Sequence, residues 1–269
     1  MSFAVDLARQ TGQILLDFFW RENLQTSYKA DHSIVTEADT SADRFIARAL
    51  AAEYPNDLLL SEELQPSYPG GQADSDVLNR ATWVIDPIDG TTNFSMGMHF
   101  WGVLLARLVK GVPELAVMYF PLIEELYSAQ KGGGAFLNDR RIRVSKRTRL
   151  EESLVGTGFP FRKIDNLDQY LAMLRAVTEK AAGVRRPGAA ALDLAYVACG
   201  RFDAFFELGL SPWDVAAGSL LITEAGGLIG NFTADGDYLF AEEVVAGSPK
   251  VFAAMIALLR GTRGAAQQA

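Results

Sequence analysis

The chain has 269 residues, 49% hydrophobic and 22% charged, enough to bury a large core in one big domain or two closely joined halves. A formal charge of −8 disfavours general binding to nucleic-acid backbones, and it repels a phosphorylated small molecule unless the site holds a cation. The single cysteine, Cys199, sits in an apolar run and excludes an internal disulfide framework, while only two histidines, His32 and His99, disfavour a Ser–His–Asp site or a zinc site built on several imidazoles.

Phe3, Leu7, Ile14, Leu15, Phe18 and Phe19 recur at near-helical spacing and predict an amphipathic first helix. Asp6, Arg9, Gln10, Gln13 and Asp17 interrupt it and exclude a signal-peptide core. No apolar run approaches the ~20 residues that span a bilayer, so a soluble cytoplasmic protein is expected. A polar loop leads to a second helix, TEADTSADRFIARALAAEYP, stopped by Pro55. DLLLSEE reads as a short strand ending in acids, QPSYPGGQADSD as a loop, and TWVID as a buried strand. From His99 to Val144, β-branched and aromatic runs punctuated by turn residues predict an antiparallel meander. Beyond Ser153 strands and helices alternate. SLVGTGF, DAFFEL and VVAGS are the strands, and LDQYLAMLRAVTEKA, AAALDLAYVACG, SPWDVAAGSLLITEAGG and PKVFAAMIALLR are the helices, followed by a frayed tail. The expected architecture is α+β in the first half, to residue 150, and α/β from there to 262, with helices covering both sides of the sheets.

With histidines scarce, the acids carry the chemistry. Glu62 and Glu63 end one strand, Asp86 and Asp89 another, and Asp214 opens a helix. Carboxylates at strand ends and helix starts converge on the rim of a sheet, and hard oxygen ligands without thiols point to Mg²⁺ or Mn²⁺. Each feature alone has a plain structural explanation. Asp89-Gly90 is a common turn, and Ser211 to Asp214 is a capping box. The combination goes further: DPIDGTTN places two carboxylates, a glycine and two hydroxyls at a helix start, where free N–H groups favour an anion. No Walker A motif is present, and Pro87 stands where a haloacid-dehalogenase nucleophile would be.

IVTEAD, SEE, WVIDPIDGTTNF, GGGAFLNDRRIRVS, RRPGAAALDLAYVACGRFDAFFE and PWDVAAGSLLITEAGG follow one another along the chain. In this order they resemble the inositol monophosphatase family, within the wider group of lithium-sensitive, Mg²⁺-dependent sugar phosphatases. The resemblance covers nearly the whole chain. It implies a layered αβαβα sandwich, usually dimeric, acting on a small phosphorylated sugar or polyol with two or three Mg²⁺ ions. Carried over by position, it implies that Glu62, Asp86 and the Ile88 carbonyl bind one metal, and that Asp86, Asp89 and Asp214 bind a second. Glu62 could also serve a third. Thr91, paired with Asp39, would orient and help deprotonate the attacking water. Gly90, Thr91 and Thr92 would cradle the phosphate near Lys29. Gly188, Ala189, Ala190 and Glu207 would line the polyol pocket. Three positions depart from the pattern: Ser33 before VT, Asp139 in the Asn-Asp turn, and Ala189, which lacks a hydroxyl that some relatives carry.

Related alternatives are fructose-1,6-bisphosphatase, histidinol-phosphatase and phosphatases of 3′-phosphoadenosine 5′-phosphate or NADP. PWDVAAG and FFE favour the inositol type. A different class is a regulatory protein of the transcription machinery. It would use the basic run Arg140, Arg141, Arg143, Lys146, Arg147 and Arg149, with Lys131, to meet RNA or a partner. A solvated hairpin edge guarded by charge explains the same residues. Arg185 and Arg186 fit either a dimer contact or the phosphate.

Overall fold

The computed structural model describes residues 1–29, 33–64, 79–160, 167–234, 236 and 238–266. The loop predicted at 65–76, His32 and the last three tail residues lie outside the described residues. Five layers alternate helix and sheet. The outer pair of helices is α1 (Ser2–Phe19) and α2 (Glu37–Glu53). They cover a sheet that, among the described residues, has seven strands: β3 (Leu58–Ser61), β4 (Ala81–Asp89), β5 (Gly102–Val109), β6 (Val112–Phe120), β7 (Glu125–Gln130), β8 (Gly134–Leu137) and β9 (Arg140–Arg141), paired in chain order. The middle layer is α5 (Ala190–Ala198) and α6 (Pro212–Glu224). The second sheet has five described strands: β10 (Leu154–Thr157), β11 (Gly183–Arg185), β12 (Ala204–Leu208), β13 (Leu228–Gly230) and β14 (Glu243–Gly247), in the order β11-β10-β12-β14-β13. The far layer is α4 (Leu167–Lys180) and α7 (Pro249–Ala266). The expected αβαβα sandwich is therefore observed.

The period-2 alternation of each strand distributes its side chains between layers. On β4, Trp83 and Ile85 pack toward α1 and α2, and Val84 faces the middle helices. On β5, Val103 and Leu105 take the first face and Leu104, Ala106 and Leu108 the second. Both faces are covered, which is why these strands read as unbroken apolar runs. The middle layer touches both sheets and is apolar all round: eleven residues of α6, Pro212 through Ile222, are buried. Emptying one large core site such as Trp83, 1% exposed, costs about 3–5 kcal/mol.

Four short strands fall outside the sequence-based expectation. β1 (Thr26–Tyr28) and β2 (Ile34–Thr36) form an antiparallel hairpin within the predicted polar loop, and β11 and β13 are three-residue sheet edges. Runs this short carry no periodicity, and only pairing with a neighbour defines them. The last helix continues through Gly261 to Ala266, past the end expected at Arg260, because isolated glycines weaken a helix without stopping it.

Candidate active site

The site begins with an irregularity in β4. Residues three apart on a regular strand point to opposite faces. Asp86 pairs with Leu104 and Asp89 with Gly102, so the register shifts between them, across Pro87 and Ile88; Pro87 has no N–H to donate. The shift turns both carboxylates to one side. Asp86 Oδ1 accepts the Ile88 N–H at 2.9 Å, which fixes the turn. Gly90 follows with φ +87°, and a Cβ there would stand 2.8 Å from the Phe100 carbonyl oxygen. Only glycine fits both demands.

The chain then enters α3 (Thr91–Ser95). Phe94, 2% exposed, anchors it edge-on against Trp101 at 4.8 Å and against Phe19 at 5.4 Å. Asn93 Nδ2 donates to the Phe100 carbonyl at 2.7 Å and to the Pro187 carbonyl at 3.0 Å, tying α3 to the segment that carries Gly188.

Parallel pairing of β3 with β4, Ser61 opposite Ile85, delivers Glu62 beside Asp86. The third acid arrives from the middle layer. Pro212 occupies the first turn of α6, and Asp214, two residues on, returns its Oδ2 to the Ser211 N–H at 2.7 Å. Oxygens of Asp86, Asp89 and Asp214 lie within 4.8 Å of one another, and all three residues are buried. Asp89 Oδ2 also accepts the Ala191 N–H at 3.0 Å. Burial, and after it the charges of Glu62, Asp89, Asp214 and Asp39, push the Asp86 carboxyl well above the usual carboxylate range. Buried carboxylates so placed repel one another until a cation joins them. An all-oxygen donor set of this kind fits a hard divalent ion such as Mg²⁺.

Glu62 stands at the edge of this group. Lys29 Nζ reaches Glu62 at 3.0 Å and Glu63 at 2.6 Å. Burial opposes the Lys29 charge, but the two glutamates outweigh it and hold its pKa above the ordinary value. Burial pushes the Glu63 carboxyl up to about 7 in spite of that lysine. Lys29, expected near the phosphate, is thus engaged with two acids.

Thr91 Oγ1 lies 2.9 Å from Asp39 Oδ1 and 3.0 Å from the Ile88 carbonyl oxygen. The other Asp39 oxygen accepts both the Thr36 N–H, at 2.7 Å, and the Thr36 hydroxyl, at 2.6 Å, completing the cap of α2. Asp39 is 1% exposed, and burial raises its pKa although these hydrogen bonds act against the rise.

Gly90, Thr91, Thr92, Gly188, Ala189, Ala190 and Glu207 line one cavity of about 500 Å³ with Glu62, Asp86, Asp89 and Asp214. Apart from Lys29, the residues predicted for metal, phosphate and polyol therefore share a single cleft, bounded by both sheets and the middle helices. Asp39 and Lys29 stand behind its wall. The cleft also contains Arg186, whose guanidinium lies 5.4 Å from the Phe159 ring centre, and Asp193, which sequence reasoning missed. A signal was available: Asp193 is the one charged residue of α5, AALDLAYVA. His99 is exposed and outside the cleft, and Cys199 is half-buried against the middle core, as a small packing residue.

The layered αβαβα fold, with strand ends and helix starts that gather buried acids around one cleft, is the architecture of inositol monophosphatases. Residues 1–263 match the inositol monophosphatase family, and the chain belongs to it. It is 44% identical over 263 residues to the Nus factor SuhB of Pseudomonas aeruginosa, covering 97% of this chain and 95% of that protein. The crystal structure of the extragenic suppressor protein suhB from Bartonella henselae superposes with a TM-score of 0.87 at 38% identity, over 96% of this chain and 97% of that one. The inositol monophosphatase from Anabaena superposes with a TM-score of 0.84 at 31% identity, over 97% and 95% of the respective chains. Among the described residues no helix is long and apolar enough to cross a membrane.

Proposed function

We propose that this protein is a Mg²⁺-dependent phosphomonoesterase that hydrolyses inositol monophosphate or a related polyol phosphate by direct attack of water. The observation that carries the reading is the gathering of Asp86, Asp89 and Asp214 within 4.8 Å, beside the Thr91–Asp39 pair. Asp86, Asp89, Asp214, Glu62 and the Ile88 carbonyl would hold the cations. Bound there, a divalent cation neutralises an anionic ester, lowers the pKa of water and stabilises a leaving alkoxide.

The chain's own residues set up the rest. The Thr91 hydroxyl has one proton, which it gives to Asp39 Oδ1 or to the Ile88 carbonyl. Its lone pairs are then available to accept a hydrogen bond from water. Asp39, held at its other oxygen by Thr36, cannot swing away, and its raised pKa suits a group that receives a proton through Thr91. Gly90 and the first N–H groups of α3, which lack intrahelical acceptors, face the ester's phosphate. Water oxygen bonds to phosphorus as the bond to the ester oxygen breaks; a proton of the water passes through Thr91 to Asp39 and the leaving oxygen takes one from solvent, giving inorganic phosphate and the free polyol. Lithium inhibition and a homodimer belong to the same reading.

The test is phosphate release from inositol 1-phosphate, fructose 1,6-bisphosphate, histidinol phosphate and 3′-phosphoadenosine 5′-phosphate at fixed Mg²⁺. Preference for the inositol ester, abolished in Asp86→Asn, supports the reading. Undiminished Mg²⁺-dependent activity in that variant refutes the metal assignment.

A second reading has its own support. Relatives bear the name Nus factor SuhB. Lys131, Arg140, Arg141, Arg143, Lys146, Arg147 and Arg149 are all exposed here. Arg147 pairs with Asp203 at 3.2 Å, and Arg149 with Glu151 at 3.5 Å, which mutes part of the patch. A role in transcription would show as salt-sensitive RNA binding that survives in Asp86→Asn. Absence of RNA binding at low salt removes it.

A further inference from the structure

Asp193 is an expense that the fold does not recover. Its side chain is 1% exposed and lines the cleft, and its Oδ1 is buried without a hydrogen-bond partner among the described residues. An unpaired buried polar atom is destabilising, so one that lines a cleft points to a partner that arrives there. The neighbouring strand has been shaped to admit it. A Cβ on Gly156 would lie 2.5 Å from Asp193 Oδ1, and one on Gly158 only 2.0 Å from Glu207 Oε1. Glycine weakens a strand and marks places where something must approach the backbone closely. Here two glycines, in and just past β10, each make room for a carboxyl group of the cleft.

The groups acting on Asp193 define its chemistry. Burial raises its pKa well above the usual range, Glu207 and Asp89 add to the rise, and Arg186 opposes it. A neutral carboxyl group both donates and accepts hydrogen bonds, as an alcohol hydroxyl does. Ala189 and Ala190, which open α5 one turn before Asp193, offer no side-chain hydroxyl of their own.

We propose that Asp193 is a specificity-determining residue that, together with Glu207, receives hydroxyl groups of the polyol part of the substrate. The inference rests on the phosphomonoesterase reading and narrows it to hydroxyl-rich esters over aryl or alkyl ones. The apolar helix α5 then serves as the support for one polar contact, and Asp193 Oδ1 gains its partner when substrate binds.

The experiment compares wild type, Asp193→Ala and Asp193→Asn on inositol 1-phosphate, glycerol 2-phosphate and p-nitrophenyl phosphate with Mg²⁺. The ratio of polyol-ester to aryl-ester kcat/KM falls about tenfold in Asp193→Ala, mainly through KM, and is largely restored in Asp193→Asn. Tm at neutral pH does not fall in either variant, because the buried Oδ1 without a partner among the described residues makes the acid a net cost there. An equal loss on all three esters, an unchanged ratio, or a lowered Tm without a change in ratio overturns the proposal. If wild type releases phosphate from none of the three, the phosphomonoesterase reading fails separately. The shift in Tm caused by inositol 1-phosphate then decides: a shift in wild type that is reduced in Asp193→Ala upholds the inference, and an equal shift or none overturns it.

Discussion

The starts of α2 and α6 share one local design. Thr36 precedes Glu37-Ala38-Asp39, Ser211 precedes Pro212-Trp213-Asp214, and in each case the aspartate Oδ2 accepts the N–H of the capping residue at 2.7 Å. They differ in what else meets the carboxylate. At α2 it is Thr91, 2.9 Å away, so Asp39 is enclosed by protein hydrogen bonds. At α6 Asp214 faces Asp86 and Asp89 across less than 4.8 Å and shares their repulsion. On the proposed reading, one motif therefore supplies a proton acceptor in one place and a cation ligand in the other. The neighbour brought by the fold decides which.

The largest effects should separate these two acids. Asp214→Asn is expected to lower turnover by about 10³-fold and to abolish the rise in Tm on adding Mg²⁺. Asp39→Asn is expected to lower turnover by about 10²-fold while keeping that rise. Phosphate release and thermal melts with and without Mg²⁺ read both. If the two variants lose the Mg²⁺ response equally, the distinction between them collapses.

A third acid, Asp193, has no hydrogen-bond partner at Oδ1 among the described residues, and it sharpens the contrast through pH. Its folded pKa lies above the unfolded value of about 3.9. Such a group contributes stability that is fully present below the unfolded value and lost as pH rises through the folded one. Metal-free protein should therefore melt at lower temperature as pH rises above the unfolded carboxylate value of about 3.9, and Asp193→Asn should flatten that slope. An identical slope in the variant shows that Asp193 is not a source of it.

Capping is worth less. Thr36→Ala removes the hydroxyl that holds Asp39 and should cost about 1 kcal/mol in denaturant unfolding, with a further loss of turnover because Asp39 loosens. Ser211→Ala should cost a similar amount without moving Asp214, whose partner is the Ser211 backbone. The far end of α6 supplies the smallest effect and a control outside the cleft. Glu224 accepts the N–H groups of Gly132 and Gly134, each at 2.7 Å, and Glu224→Ala should cost about 1 kcal/mol with turnover intact.

Much of this arrangement is legible in the sequence. Strong periodicity marks α1, α2 and the meander, and a proline opens α6 and α7. The acids of the cleft stand out because carboxylates at strand ends are conspicuous in an apolar setting. The β1–β2 hairpin and the edges β11 and β13 are too short to carry a period. Lys29 was expected near the phosphate, yet no local pattern reveals that it sits between Glu62 and Glu63, 33 and 34 residues away. Asp193 was passed over because a single acid in an apolar helix breaks no rule until its surroundings are known.

By itself the sequence determined the elements, their caps, the covered sheets and the types of residue available for chemistry, since these follow from spacing and from interactions within a few residues. The tertiary structure alone decided which oxygen faces which. That choice depends on a register shift between Asp86 and Asp89, on two glycines in and after β10, and on layers contributed by distant parts of the chain. Charges interact through space, and their distances exist only once the chain has folded.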